Sequence, residues 1–122
     1  MHELSLISFK DKKLVEIFNS EIINQEKYQY QKFMENKIKV VSSYEKCLVC
    51  KKEHYIDDEG KMVKFQIHHL QYHPQIVSFV HSDCHLKIHD PENPIQEYIM
   101  YQEGDSKKFY QNYNQKTLGE FK

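Results

Sequence analysis

Val63-Lys64-Phe65-Gln66-Ile67-His68-His69, followed by Val77-Ser78-Phe79-Val80 and His81-Ser82-Asp83-Cys84-His85-Leu86-Lys87-Ile88-His89, is the stretch that decides the fold. Val63, Phe65 and Ile67 alternate with polar residues, the period of a strand with one buried face, and the strand ends at the His68-His69 pair. Val77 and Phe79, with Val80, predict a second strand after Pro74. Ser82 or Asp83 can cap a short helix that carries Leu86 and Ile88 and is stopped by Asp90-Pro91. The order is strand, loop, strand, helix.

Two half-sites with metal-ligand spacing bracket the first of these strands. Cys47-Leu48-Val49-Cys50 is a tight turn that can present two sulfurs to one tetrahedral ion. His81 and Cys84 repeat the spacing with an imidazole in place of one thiolate. Together Cys47, Cys50, His81 and Cys84 predict a structural Zn2+ site that crosslinks distant segments and contributes folding energy. His54, three residues after Cys50, competes with His81 for the fourth position, and the mirrored spacing favours His81. The alternative is that the cysteines are small buried hydrophobes. Three cysteines in a chain with no export signal argue against a disulfide framework.

Most of the eight histidines fall between His68 and His89. Neighbours on a strand point to opposite sides, so one ring of His68-His69 can bind a metal while the other faces a substrate phosphate. His85 and His89 are four apart on a helix and share a face. His68, His85 and His89 can therefore hold one divalent cation with positions left open for water and phosphate. His69 is then placed to act as general base on a water attacking a phosphodiester, a role that suits a neutral imidazole near pH 7. Taken singly, each histidine is more often a surface residue than a ligand, and His73 reads as one.

Working outward, Leu14, Val15, Phe18, Ile22 and Ile23 fall at helical spacing after a capping Asp11, and the pattern resumes at Tyr30, Phe33, Met34 and Ile38. This predicts one long helix or two shorter ones from about Lys12. Asp57-Asp58-Glu59-Gly60 reads as a turn. Asn93-Pro94 starts a further helix that carries Ile95, Tyr98 and Ile99 and ends at Gly104, and another runs from about Ser106 to Lys116. The expected organisation of the 122 residues is one α+β domain: a helical scaffold over 1–43, a core over 44–90 and C-terminal helices over 91–122.

Composition fits a folded chain, 39% hydrophobic and 29% charged. No apolar run approaches bilayer length and the N-terminus lacks signal-peptide order, so the cytoplasm, or a host cell's cytoplasm, is the expected location and no membrane partner is expected. Net charge is −1 and every cation is lysine. That weighs mildly against tight nonspecific nucleic-acid binding. Lys37, Lys39, Lys46, Lys51, Lys52, Lys61, Lys64 and Lys87 nevertheless cluster around the histidine-rich stretch, and net charge can hide a basic face.

These residues resemble the HNH endonuclease family. Phe65-Gln66-Ile67-His68-His69-Leu70 is similar to its first strand, Cys84-His85-Leu86-Lys87-Ile88-His89 to its Cys-His-x3-His helix, and Cys47-x2-Cys50 to the upstream half of the zinc site found in many members. The likeness spans roughly Ile38 to Asp90. It implies a ββα-metal core with structural zinc, flanked by helices, that hydrolyses DNA phosphodiester bonds. His68, His85 and His89 would be ligands of a catalytic Mg2+, Mn2+ or other divalent cation, and His69 the base. Two positions depart from the family pattern. His81 stands for the first downstream Cys, and Ile76 for the middle Asn that steadies the loop carrying the base, a task that falls to His73 or Gln75 if to any residue here. An all-histidine ligand set also suits Mn2+, Ni2+ or Zn2+ better than Mg2+. A catalytically weak or inactive zinc-stabilised nucleic-acid-binding module is the second reading. A third is an RNA-directed or toxin-like nuclease, with Tyr98, Tyr101, Tyr110 and Tyr113 stacking on unpaired bases rather than packing on the core.

Overall fold

The computed structural model describes residues 2–120, with side chains described for residues 12–112. At its centre is a hairpin. β2 (Gln66–Tyr72) and β3 (Gln75–Val80) pair antiparallel across a two-residue connection, His73-Pro74, whose peptide is cis. A short strand, β1 (Lys39–Val40), joins the other edge of β3 in parallel, giving a three-stranded sheet in the order β1-β3-β2. β3 is therefore flanked on both edges, and Val77, Ser78, Phe79 and Val80 are all buried. Its apolar run reads as a continuous block rather than an alternation for this reason.

β2 begins three residues later than the alternation of Val63, Phe65 and Ile67 predicts, and it runs beyond the histidine pair instead of ending there. Residues 63–65 have no strand beside them, and the Val63 amide donates to the Tyr55 carbonyl. Phe65 is buried all the same. Registration against β3 extends the strand to Tyr72, with a bulge at Leu70: His69 lies opposite Val77, Gln71 opposite Ile76 and Tyr72 opposite Gln75. A bulge puts two residues against one and shifts every later side chain to the other face.

Three helices complete the α+β arrangement, α1 (His2–Glu35), α2 (Ser82–Ile88) and α3 (Asp105–Glu120), with a single 3-10 turn at Gln96–Tyr98. α1 is unbroken through the polar stretch Asn24–Lys27 and begins at His2 rather than near Lys12, so Asp11 lies inside the helix and is not its N-cap. It ends in a Schellman motif without the usual glycine. Lys37 takes φ 58°, the Ile38 amide donates to the Phe33 carbonyl and the Lys37 amide to Met34. Phe33 is in the core and Ile38 packs against it, the apolar contact that accompanies this motif. Toward its N-terminus α1 outruns the small sheet, so Leu14 and Phe18 are exposed while Ile22 is buried. Asn19 ties this part down, donating to the Gly60 carbonyl and accepting from the Met62 amide.

The helix expected after Asn93-Pro94 is reduced to the 3-10 turn. Its backbone is bound elsewhere: the Ile95 amide donates to Ile88 at the end of α2, and the Met100 amide to Leu70 in the bulge. The core unites Phe33, Cys47, Leu48, Phe65, Leu70, Val77, Phe79, Val80, Cys84 and Ile88. No helix among the described residues is long and apolar enough to cross a membrane.

Candidate metal centres

Cys47, Cys50, His81 and Cys84 converge, with one ligand atom from each lying within 4.8 Å of the others. The Cys47–Cys50 turn closes through the Lys51 amide to the Cys47 carbonyl and the Cys47 amide to the Lys52 carbonyl. It needs Lys51 at φ 64°. Backbone N–H groups of Val49 and His81 point at the Cys47 sulfur, at 3.4 and 3.5 Å. His81 sits at the N-cap of α2 in extended backbone, one residue before the predicted Ser82 or Asp83 cap. Its Nε2 donates to the Glu53 carbonyl at 2.7 Å, which leaves Nδ1 facing the sulfurs, 3.2 Å from Cys50 and 4.0 Å from Cys84. Tyr55 covers the ring, stacked at 3.7 Å.

The donor set suits a soft, tetrahedral cation such as zinc. Its electrostatics point the same way. Burial, and then the Cys47 and Cys50 thiols beside it, push the Cys84 thiol up to about 12. Burial also opposes ionisation of Cys50, but the Lys52 backbone amide and the thiols of Cys47 and Cys84 outweigh it and bring that group below its usual value. Negative charge at one sulfur is thus gained at the expense of its neighbour, a conflict that a bound cation removes. The cluster could hold a zinc ion.

His54 takes no part in this cluster. Its Nε2 lies 2.5 Å from Glu26 Oε1, its ring rests on Phe65, and Glu26 Oε2 accepts the Phe65 amide at 2.8 Å. Glu26 is 2% exposed. A carboxylate on α1 therefore straps the helix to the loop after Cys50, and it is His81, not His54, that joins the three cysteines.

The second group is His68, His85 and His89, again with one ligand atom each within 4.8 Å of one another. Ring centroids stand 5.1, 5.2 and 4.8 Å apart, and the Nε2 atoms of His85 and His89 are separated by 3.2 Å. Two nitrogens on one tetrahedral ion at zinc–imidazole bond lengths would be about 3.3 Å apart. The other nitrogen of each ring is engaged. His68 Nε2 donates to the Tyr98 carbonyl at 2.8 Å, His85 Nδ1 to Gln66 Oε1 at 2.8 Å, and His89 Nδ1 meets the Tyr101 hydroxyl at 3.4 Å. Such outer bonds fix which nitrogen keeps its lone pair for a metal. Here they select Nδ1 of His68 and Nε2 of His85, and Nε2 of His89 faces that of His85.

Two of the rings, His68 and His85, are also shifted toward the neutral form. Burial, with the nearby His85, His89 and His69 rings, lowers His68 to about 4, against the bond to Tyr98. Burial and then His89 lower His85. A neutral imidazole is the form that binds metal. Ser78, opposite His68 on β3, carries the one buried side-chain polar atom without a partner among the described residues.

His69 points away from this triad. Its Nε2 lies 3.0 Å from Gln75 Oε1, Tyr72 stacks on its ring at 4.6 Å, and Phe109 of α3 stands 5.4 Å away. Burial lowers its pKa, partly offset by the bond to Gln75. Tyr101, 5.2 Å from Tyr72 and bonded to His89, bridges the His69 side and the triad side. Tyr110 joins the same aromatic group through Tyr72 and Phe109, Tyr98 packs against the core, and the side chain of Tyr113 lies outside those described. His73 is exposed at the hairpin connection and belongs to neither metal group.

Sequence patterns did not assign the groups that orient these side chains: Gln66, the Tyr101 hydroxyl, which the sequence offered only as a stacking ring, and the carbonyls of Tyr98 and Glu53. Carbonyl roles leave no trace in residue identity. Gln66 carried a signal, since a polar residue two before His68 lies on the same strand face. Comparison with protein-family models, curated proteins and solved structures returns no match for this chain.

Proposed function

We propose that β2, β3 and α2 form a ββα-metal core of the HNH type and that the chain hydrolyses phosphodiester bonds in DNA. The observation that carries this reading is the convergence of His68, His85 and His89, each with its outer nitrogen bonded, beside a separately oriented His69. A divalent cation held by the three imidazoles would supply positive charge for the phosphate and the leaving oxygen. His69 takes a proton from water through its unbonded nitrogen, the water oxygen attacks phosphorus, and the bond to the leaving sugar oxygen breaks. That oxygen is protonated from solvent. Lys87, exposed on α2 between the two histidines, is placed to meet a neighbouring phosphate. Zinc at Cys47, Cys50, His81 and Cys84 is structural in this scheme.

The test is plasmid nicking with Mn2+, Ni2+, Zn2+ and Mg2+ supplied separately. Nicked circles should appear with a transition metal, and His69→Ala should slow nicking by about 100-fold or more. Equal cutting by His69→Ala refutes the mechanism. Ile76 at the place of the family's Asn, with a net charge of −1, favours the second reading, a zinc-stabilised module that binds nucleic acid without cutting it. One ion per chain, and DNA binding without nicking, is its signature.

A further inference from the structure

We propose that Gln75 is the positioning residue for His69: its side-chain carbonyl fixes the imidazole with the proton on Nε2 and so leaves Nδ1 as the proton acceptor. The proposal rests on the reading of His69 as general base. It starts from strand register. Val77 lies opposite His69, and Gln75, two residues before Val77 on β3, shares its face. Gln75 is thus the diagonal neighbour of His69, at a distance that a long side chain spans.

The bulge at Leu70 completes the arrangement. In an unbulged ladder Gln71 would face Gln75 beside His69. The extra residue substitutes Tyr72, which lies opposite Gln75 and stacks flat on the imidazole at an interplanar angle of 8°. Gln71 is left to donate to the Pro74 carbonyl instead. The result is a ring fixed on one face by Tyr72, approached by Phe109, and bonded at Nε2 to Gln75 at 3.0 Å.

The remaining ring nitrogen has no partner among the described residues. His69 is only half-buried. A donor–acceptor bond at one ring nitrogen decides the state of the other. With Gln75 Oε1 accepting, Nε2 carries the proton and Nδ1 keeps its lone pair. Were the amide turned to present its NH2 group, the proton would sit on Nδ1 and that nitrogen could not take one from water. The amide is neutral, so it directs the proton without adding charge beside an incoming phosphate.

The experiment reads the tautomer directly, by long-range 1H–15N correlation of the full-length, zinc-loaded protein at about pH 8, where an unperturbed imidazole is neutral. The expected wild-type spectrum shows His69 protonated at Nε2. Gln75→Leu should give a mixture of tautomers, and Gln75→Glu, which keeps an acceptor, should restore the wild-type pattern. In nicking assays Gln75→Leu should lower kcat about tenfold or more, with KM and metal content unchanged, and Gln75→Glu should recover part of the loss. A wild-type His69 protonated at Nδ1, or a tautomer unaltered in Gln75→Leu, overturns the proposal. If the wild type cuts no DNA with any cation, the nuclease reading falls, while the spectrum still decides whether Gln75 sets the ring.

Discussion

Cys50→Ala separates a zinc ligand from a buried thiol, because the two roles differ several-fold in magnitude. Cys50 is half-buried, so as a packing residue its loss should cost about 1 kcal/mol. As a ligand it shares in a structural site whose apparent binding free energy is about 10–16 kcal/mol in small zinc domains. One quarter of that is roughly 2.5–4 kcal/mol, with more lost if the ion leaves altogether. Net stability of a domain is only about 5–15 kcal/mol. Little else can compensate, since apart from Cys47 and Cys84 the core consists of a handful of side chains, and Phe65, Phe79 and Val80 among them flank the knuckle and the α2 N-terminus. At about 4 °C per kcal/mol for a chain of this size, a fall in Tm of about 10–16 °C or more is expected. The assay is thermal unfolding by circular dichroism together with metal content per chain. Chelator should bring the wild type down to the variant and leave the variant unmoved. A wild type without stoichiometric zinc, or a Cys50→Ala melt within about 4 °C of the wild type and equally indifferent to chelator, refutes the staple.

Glu26→Ala leaves the buried Phe65 amide and the His54 ring nitrogen without acceptors and should cost about 2–4 kcal/mol in urea unfolding, whereas Glu26→Gln, which keeps one acceptor oxygen, should lose less; equal stability of Ala, Gln and wild type counts against the strap. His68 is held neutral to about pH 4. With the folded value below the unfolded one near 6.5, the unfolded chain binds the proton first, so the contribution of His68 is fully present above about pH 6.5 and is lost as pH falls toward 4. An NMR titration of protein without a second metal should show the ring titrating near 4, and a midpoint at 6.5 would contradict its burial.

The hairpin, α2 and the Cys47/Cys50, His81/Cys84 and His85/His89 pairs that the structure brings into two clusters were legible because each rests on short-range spacing. Two residues between Cys47 and Cys50, and three between His85 and His89, are dictated by turn and helix geometry and need no knowledge of the rest of the fold. The unpredicted features depend on partners distant in sequence or on backbone atoms. β1 is two residues long and exists only because β3 offers an edge. Lys37 and Lys51 adopt positive φ without the glycine that would have announced it. The bulge at Leu70 is invisible to alternation, yet it determines that Tyr72, and not Gln71, stacks on His69. The helix at 93–104 failed for the same reason: Met100 and Ile95 donate to β2 and α2, and the Tyr98 carbonyl is taken by His68. Propensity gave way to contacts that local sequence does not encode.

α2 makes the two metal groups interdependent. It is seven residues long, too short to hold a helix in water by itself. Its N-cap is His81 and its third residue Cys84, both in the thiolate cluster, while His85 and the C-cap His89 belong to the imidazole triad. The His85 amide donates to the His81 carbonyl, and the His89 amide to His85, so a single run of backbone bonds fixes the separation of the groups. The N-terminus of this helix has no side-chain cap, and His81, held through its Nε2 to the Glu53 carbonyl, stands at that position. The placement of His85 and His89 is therefore set by the same short element that carries His81 and Cys84 at its sulfur-rich end.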